Sequence, residues 1–330
     1  MRIFVNIEMI SERLENAVER CDCFFDEEHE AAFRLFNGFQ ESLPELVIDI
    51  YAKSAILHWY GKEEMEDEFR TFILTWISTK MAWIEAVILK MRFSESEEGR
   101  KGRFLVGDKK TTWVKEHGVR YSVDLCMNRD ASFYLDTRLL RLWLKENSEY
   151  KRVLNTFAYT GSLGVAATAG LASRVVQCDL NKSFLNVAKT SHSLNGFPIK
   201  KADFQVGDFW KHMNVLKRKG EKFDILILDP PFFSETKGGR IDLSKSIKSM
   251  INKVRPLVVD GGKILLVNNA LFVSGAELEA VLDDLYDDWL SFDRRIDVDL
   301  DFVGGKGEPI KDPAPYNHST KITLLIVKHR

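Results

Sequence analysis

The sequence has few cysteines, no long apolar run and almost no net charge, and each shortage excludes a class of protein. Its four cysteines contain no C-x-x-C pair, so a cysteine-ligated metal site is not expected. No apolar run approaches the roughly 18 residues that a membrane span requires, and no secretory leader opens the chain. We therefore predict a reduced, cytoplasmic protein without a membrane segment.

The net charge of −2 argues against a protein that is basic overall, as many nucleic-acid binders are. The basic residues are nevertheless unevenly distributed, and only Asp242 opposes a cluster that lies late in the chain. This cluster is either a basic rim that binds RNA or an ordinary solvated helix face. Its members are Lys237, Arg240, Lys245, Lys248, Lys253 and Arg255.

With 330 residues, the chain is long enough for two domains, and its 45% hydrophobic content suits full-sized cores. We predict a small α/β domain over residues 1–120, with a possible role in RNA binding. We predict a larger α/β domain over residues 121–330. In the first domain, residues 46–51 and 54–60 are expected to pair as strands, and residues 65–90 to form one long helix or two. A hairpin is expected around residues 116–118.

The stretch from Arg152 to Gly164 has the pattern of a strand, a glycine-containing turn and a helix. Such a turn directs backbone N–H groups and a helix N-terminus towards a bound cofactor. The next predicted strand ends at Asp179, where an acid suits the hydroxyls of a ribose. The full G-x-G-x-x-G pattern is absent, so a purely structural turn is the alternative to a nucleotide-like cofactor site.

From residue 152 onward, predicted strands and helices alternate regularly, which is typical of a parallel sheet with helices on both faces. The third of these strands leads into Gly207, Asp208 and Phe209. Asp208 is a candidate acceptor for an adenine amino group, and Phe209 a candidate for packing against the ring. Asp208 also suits the N-cap of the following helix, and the two roles do not exclude each other.

The fourth strand of this series ends in Asp229, Pro230, Pro231, Phe232 and Phe233. Because proline cannot donate to a central ladder, the chain must leave the sheet at this point, with Asp229 at its carboxyl edge. S-adenosylmethionine-dependent methyltransferases have an Asp-Pro-Pro-aromatic motif at the same distance after the glycine turn.

The chain resembles the bacterial large-subunit ribosomal RNA methyltransferases of the class I, Rossmann-like type, over about 300 of its 330 residues. The N-terminal part is similar to the small domain that precedes the catalytic domain in the cytosine-C5 enzymes of that family. A PUA module, present in some relatives, is not expected here. The matching stretches are residues 33–38, 43–51, 133–138, 153–161, 178–179, 194–196, 208 and 223–233.

The resemblance implies that S-adenosyl-L-methionine is the cofactor and that ribosomal RNA, in particular the 23S species, is the substrate. Arg138 would reach the methionine carboxylate, unless it is a surface charge in the first turn of a helix. Asp179 would bind the ribose and Asp208, with Phe209, the adenine. The backbone of the turn would hold the methionine end through Phe157, Ala158, Tyr159, Thr160 and Gly161.

The acceptor base would be held by Asp229 and by the carbonyls of Pro230 and Pro231, and Phe232 or Phe233 would stack on it. The cytosine-C5 members carry Ser-Cys-Ser after the fifth strand, where the cysteine attacks the ring. This chain has Asn268 and Asn269 instead, similar to a guanine-N7 methylating domain. A guanine nitrogen is therefore favoured over cytosine C5, and Asn268 and Asn269 would offer neutral donors or acceptors to the base.

Two other functions remain open at this stage. The first is a methyltransferase that acts on a protein amide or a small molecule, because the Asp-Pro-Pro-aromatic motif also suits amino groups. The second is an NAD-dependent oxidoreductase or a cofactor-binding module without catalysis. The sequence leaves the oligomeric state open, a homodimer included.

Overall fold

A computed structural model describes residues 7–231, 233–236, 239–269, 275–286, 289–302 and 321–329. Within them the contacts form two compact units. The first contains the described residues of Met1–Leu135 and Asp299–Ile310, and the second those of Asp136–Val298 and Lys311–Arg330.

The first unit is built on a five-stranded sheet of order β1-β2-β3-β4-β5, in which only β3 and β4 are parallel. One face of this sheet packs with α1 and α2 in an apolar core that includes Leu14, Phe36 and Ile73. The elements are α1 (Ile7–Arg20), β1 (Ala32–Phe36), β2 (Leu46–Tyr51), β3 (Ser54–Trp59), α2 (Asp67–Lys80), β4 (Ala86–Met91), α3 (Glu97–Lys101), β5 (Arg103–Val106), β6 (Trp113–Glu116) and β7 (Val119–Ser122).

The strand pair and the hairpin predicted in this unit are confirmed. β2 and β3 are joined through Ala52, and β6 and β7 through His117 and Gly118; all three residues have positive φ. The long helix predicted over residues 65–90 is wrong, because α2 ends at Lys80 and residues 86–91 form β4. The run Ala-Val-Ile-Leu is continuously apolar, a pattern that suits a buried strand as well as a helix.

The sequence places the boundary between the domains at 120/121, whereas the contacts divide the chain at 135/136. Side chains of the first sheet bind the main chain of the intervening segment. Tyr51 Oη donates to the carbonyl of Phe133 at 3.0 Å. Lys90 Nζ donates to the carbonyls of Asn128 at 2.7 Å and Asp130 at 2.5 Å. This segment therefore folds with the first unit.

The second unit has the Rossmann-like architecture that the alternation predicts. Its seven-stranded sheet has the order β10-β9-β8-β11-β14-β16-β15, parallel from β10 to β14 and then antiparallel at β16. The elements are α4 (Arg138–Asn147), β8 (Arg152–Asn155), α5 (Ser162–Ala169), β9 (Arg174–Asp179), α6 (Lys182–Leu194), β10 (Phe204–Val206), α7 (Phe209–Arg218), β11 (Phe223–Leu228), β12 (Phe233–Thr236), β13 (Gly239–Asp242), α8 (Leu243–Val254), β14 (Val258–Asn268), α9 (Gly275–Tyr286), β15 (Leu290–Ile296) and β16 (Lys321–Val327).

Each face of this sheet buries its own apolar core. On one face, Met213, Ile247 and Leu282 bring in α7, α8 and α9. On the other face, Leu144 and Ala166 bring in α4 and α5. Helices therefore cover both faces, and the carboxyl ends of the parallel strands remain as the edge where polar groups can gather.

Candidate functional site

The chain order of the second sheet reverses at β8. From β8 the chain moves outward to β9 and β10 and then crosses back to β11 on the other side of β8. In open α/β sheets, the crevice beyond the carboxyl ends of the strands at such a reversal is where ligands bind. The predicted site residues that follow β8, β9 and β11 therefore belong to one sheet edge.

The turn after β8 is hydrogen-bonded to both neighbouring strands, β11 and β9. Thr156 N–H and Oγ1–H donate to the carbonyl of Ile227 in β11 at 3.0 and 2.7 Å. The N–H groups of Phe157 and Ala158 donate to the carbonyl of Cys178 in β9 at 3.0 and 2.8 Å. These bonds hold the predicted cofactor turn rigidly at the reversal.

Three residues of this turn have left-handed backbone conformations: Phe157 at φ 72°, Tyr159 at φ 51° and Gly161 at φ 77°. Such values are uncommon for residues with a side chain and persist only where the surroundings enforce them. Gly161 precedes the first residue of α5, and a Cβ there would lie 2.4 Å from Cβ of Ala188. The turn therefore needs glycine at position 161 although the full glycine pattern is absent.

Asp179, at the end of β9, accepts two backbone hydrogen bonds. Its Oδ2 accepts from Tyr159 N–H and its Oδ1 from Asn181 N–H, both at 2.8 Å. Burial raises the pKa of Asp179, and the backbone N–H groups partly offset that effect. Each carboxylate oxygen can accept a second hydrogen bond, so the group retains acceptor capacity for ligand hydroxyls.

Two aromatic rings from different elements meet beside the turn. Phe157 and Phe209 stack with their centroids 4.7 Å apart, and Phe209 is buried at the start of α7. Asp208 is the N-cap of α7, where its side chain accepts from Lys211 N–H at 3.1 Å. The capping role weighed for Asp208 is confirmed, and the adenine contact stays a prediction.

Arg138 opens α4 and is only 4% exposed, so the alternative of a surface charge is wrong. A second arginine on the same helix, Arg141, is 1% exposed and donates to Thr137 Oγ1 at 2.6 Å. Sequence reasoning missed Arg141. The only available signal was a charge on the apolar face of an otherwise amphipathic helix.

Asp229 lies at the end of β11 and accepts from Asn269 Nδ2 at 3.2 Å. The same amide nitrogen lies 3.4 Å from the carbonyl of Pro230. Burial is the main cause that raises the pKa of Asp229 to about 7; the Asp136 carboxylate raises it further, and the Asn269 hydrogen bond opposes both. Asp229 is therefore poised to hold or release a proton near neutral pH.

Of the two asparagines, Asn269 contacts Asp229, whereas Asn268 is fully buried as the last residue of β14. Sequence reasoning favoured Asn268, because nothing in the pair itself indicates which side chain turns towards Asp229. Pro231 follows Pro230 and is half-buried. Phe232 and the side chain of Phe233 lie outside the described residues.

Two further buried amides were not predicted. Asn155 and Gln177 are each 1% exposed and are register partners on β8 and β9. None of their four side-chain polar atoms has a hydrogen-bond partner among the described residues. A Cβ at Gly161 or Gly164 would lie 2.6 or 2.5 Å from Gln177 Oε1, so α5 approaches this amide closely. A polar residue inside the apolar run of β9 was the signal for Gln177.

The charged and aromatic side chains of this edge suit a nucleoside joined to a charged amino acid. Asp179 offers a carboxylate for ribose hydroxyls, Phe209 an aromatic surface for adenine, and the buried Arg138 belongs to the same unit. Within the described part of the chain, histidine, cysteine and acidic side chains form no cluster of three suited to a metal ion. None of the helices in the described ranges combines the length and apolar character that a bilayer crossing requires.

Comparison with known proteins agrees with this chemistry. Residues 34–284 match the family profile described as S-adenosylmethionine-dependent methyltransferase. The chain is 31% identical over 291 residues to ribosomal RNA large subunit methyltransferase I of Aeromonas salmonicida, covering 84% of this chain and 73% of that protein. It is 30% identical to the protein of the same name in Shigella flexneri, covering 79% of this chain and 66% of that protein.

A solved structure also matches the whole chain. SMU.776, a provisionally assigned methyltransferase complexed with SAH, superposes with a TM-score of 0.85 at 22% identity, covering 99% of this chain and 83% of that one. At this identity the likeness concerns the fold alone. The chain spans about two thirds to three quarters of the length of the two relatives above.

Proposed function

The chain belongs to the family of S-adenosylmethionine-dependent methyltransferases, and on that premise we propose that its substrate is a base in ribosomal RNA. Membership of the family makes S-adenosylmethionine the methyl donor. It excludes two of the alternative functions, an NAD-dependent oxidoreductase and a cofactor-binding module without catalysis. When bound, the donor supplies an electrophilic methyl group. The remaining question is which nucleophile the chain presents to it.

The nucleophile is a nitrogen, and the position of the cysteines supports this most strongly. Methylation at cytosine C5 requires a thiol that adds to the neighbouring C6 and so makes C5 nucleophilic, and the chain has four cysteines. After β14, where the cytosine-C5 enzymes carry this thiol, the chain has Asn268 and Asn269 instead. Cys178 is buried within β9, and burial raises the pKa of its thiol to about 12. A heteroaromatic nitrogen such as guanine N7 needs no such activation, because it has a free lone pair.

The chain's own groups orient the base by hydrogen bonds at its polar edge. Asp229 accepts from a base N–H, and the carbonyl of Pro230 is a second acceptor beside it. Asn269 donates to Asp229 and Pro230, which sets the direction of the carboxylate. Because the pKa of Asp229 is about 7, the same group takes up a proton if the methylated nitrogen carries one.

A base in duplex RNA has to leave its stack before these groups reach it, at a cost of a few kcal/mol. Stacking on an aromatic side chain offsets part of that cost. Phe232 or Phe233 remains the predicted stacking residue. Pro230 and Pro231 stiffen the segment that precedes them.

Ribosomal RNA is preferred to a protein amide or a small molecule because of the relatives. Both named relatives are ribosomal RNA large subunit methyltransferases, at 31% and 30% identity. The large-subunit RNA, the 23S species in bacteria, is therefore the proposed target, and the cytoplasm the proposed compartment. The four unpaired cysteines are consistent with a reducing compartment.

The test is transfer of labelled methyl groups to protein-free large-subunit ribosomal RNA, followed by mass analysis of the nucleosides. We expect label in methylated guanosine, and ribonuclease treatment before the reaction should abolish incorporation. Label in 5-methylcytidine would refute the choice of nitrogen. Label that appears only in a protein or a small molecule would refute the RNA substrate and favour the alternative acceptor class.

A further inference from the structure

Two neighbouring helices of the second unit, α7 and α8, contain no acidic residue over their whole lengths. Both pack through apolar residues on the same core, with Met213 and Leu216 from α7 and Ile251 and Val254 from α8. Their outer sides carry cations. We call the following residues the α7–α8 basic face: Lys211, Lys217, Arg218, Lys219, Lys253 and Arg255.

A row of side chains on α7 brings the two helices together. Trp210, Asn214 and Lys217 follow a spacing of four and three residues and therefore share one side of the helix. From α8, Lys253 Nζ donates to Asn214 Oδ1 at 2.6 Å and lies 6.0 Å from the centroid of the Trp210 ring. Arg255, just after α8, lies 4.4 Å from the ring centroid of Trp289.

The central cations of this face lie close to one another. Burial lowers the pKa of Lys217, and the charges of Lys253 and Arg255 lower it further. Among the described residues, none of Lys217, Lys253 and Arg255 forms an ion pair with a carboxylate.

Elsewhere in the same unit, some cations pair with carboxylates. Arg174 pairs with Asp203 at 2.8 Å and with Glu221 at 3.0 Å, and Arg152 also pairs with Glu221. Like charges that gather without a counter-charge, as these do among the described residues, disfavour the folded state slightly, so an external anion gains by binding to them. The face therefore differs from an ordinary solvated helix, in which acids and bases alternate.

We propose that the α7–α8 basic face binds the phosphate backbone of a duplex segment of the substrate RNA. The proposal rests on the function proposed above and assigns the surface that anchors the RNA beyond the target base. A ten-residue helix such as α7 is about 15 Å long, so its cations contact successive phosphates rather than a single one. Contacts of this kind supply affinity without sequence preference.

The sequence alone allows two interpretations of the basic residues after the Asp-Pro-Pro turn: a rim that binds RNA, or a solvated helix face. The structure adds what the sequence could not provide. It places cations of α7, which precedes that turn, beside cations of α8, which follows it.

The experiment compares two double variants that remove equal charge. The test variant is Lys217→Gln with Lys253→Gln, and the control is Lys200→Gln with Lys201→Gln, two exposed lysines near β10. The probe is a 20-base-pair RNA duplex titrated at several salt concentrations. We expect the test variant to bind about tenfold more weakly, with a salt slope smaller by about two. The control should match the wild type.

Binding of S-adenosylhomocysteine and the thermal midpoint, measured for all three proteins, check that the donor site and the fold are intact. Equal duplex affinity in test and control variants would overturn the proposal, as would a wild type that binds no duplex. Equal displacement of the duplex by polyglutamate would also overturn it, in favour of an acidic protein partner. If the test variant loses duplex binding while the wild type methylates no RNA, the surface stands and the proposed function fails.

Discussion

Each unit of the chain has a carboxylate that burial affects, and the two carboxylates have opposite properties. In the first unit, Asp49 is 3% exposed and is held by Arg34, at 2.8 and 3.1 Å, and by His58 Nε2 at 3.1 Å. Burial alone would raise the pKa of Asp49, but Arg34 and His58 outweigh it and lower the pKa. In the second unit, Asp229 has one amide partner, Asn269, and a pKa of about 7.

The difference separates a structural network from a binding site. A buried charge with a full set of partners is costly to disturb and has little to offer a ligand. A carboxyl group that burial and a second carboxylate destabilise, with a single amide to oppose them, gains by meeting a donor. Two amides near the turn after β8, Asn155 and Gln177, are likewise buried without enough partners. Among the described residues, none of their side-chain polar atoms has a hydrogen-bond partner.

The largest effect is expected from removing the carboxylate of Asp229. In Asp229→Ala we expect the rate of methyl transfer to fall by about 10³-fold, because the base loses its orienting acceptor. The affinity for S-adenosylhomocysteine should change by less than about threefold, since the loss concerns the acceptor. Kinetics and titration calorimetry on the same preparation measure both quantities.

The control for that variant is Asp260→Ala, which removes a carboxylate from an exposed position. It should leave the rate of methyl transfer unchanged. Full activity in Asp229→Ala would refute the assignment of Asp229 to the acceptor side.

The corresponding variant in the first unit, Asp49→Ala, should lower the free energy of unfolding. It removes the carboxylate that Arg34 contacts at 2.8 and 3.1 Å, and breaking a buried ion pair in this way costs about 3–5 kcal/mol. Because burial lowers the pKa of His58 to about 4, the imidazole is neutral at pH 7 and does not replace the lost charge. Urea unfolding of the purified protein measures the free energy of unfolding. An unchanged value would mean that the network does not stabilise the first unit.

A pair of glycine variants sharpens the account of the turn. Gly161 and Gly196 both have positive φ, at 77° and 68°, but only Gly161 has atoms within 4 Å of an added Cβ. Alanine at either position costs about 1–2 kcal/mol for the left-handed backbone. We expect Gly161→Ala to cost at least about 1 kcal/mol more, because its Cβ meets Ala188 and Gln177.

Thermal unfolding and binding of S-adenosylhomocysteine together test this pair. Only Gly161→Ala should also weaken binding, since α5 and α6 would be forced apart beside the turn. Equal losses of stability and unaltered binding in both variants would contradict the close packing of α5 against β9 and α6.

The smallest expected effect is a pH dependence that only the second unit should produce. The carboxyl of Asp229 is protonated below its raised pKa of about 7. Protonation removes its charge and turns one of its two acceptor oxygens into a donor, so it holds the base N–H more weakly. kcat/KM should therefore fall as the pH falls below 7, by about tenfold per unit. In Asp229→Asn this inflection should disappear. An inflection of the same size in that variant would assign the titration to another group.

Much of the second unit followed from the sequence because its signals are local. Strands of the parallel sheet are short apolar runs that end at a turn or an acid, as β9 does at Asp179 and as β11 does directly before Asp229. The first unit was harder to predict. The run 86–91 is apolar without a clear period, and only its pairing with β3 makes it a strand.

The parts of the site that the sequence did not predict depend on contacts between distant elements. Asn269 rather than Asn268 meets Asp229 because of how the chain leaves β14. The burial of Arg138 depends on how α4 packs on the sheet, which no pattern within the helix reports. The boundary at 135/136 depends on Lys90, whose partners lie about forty positions further along the chain.

A crystal structure of the protein with S-adenosylhomocysteine tests the central claim most directly. The account predicts the ribose hydroxyls within hydrogen-bonding distance of Asp179 and the adenine against Phe209, with the carboxyl of Asp229 still accessible from the crevice. A crevice filled by the protein's own side chains, with the ligand bound elsewhere or absent at saturating concentration, would contradict it.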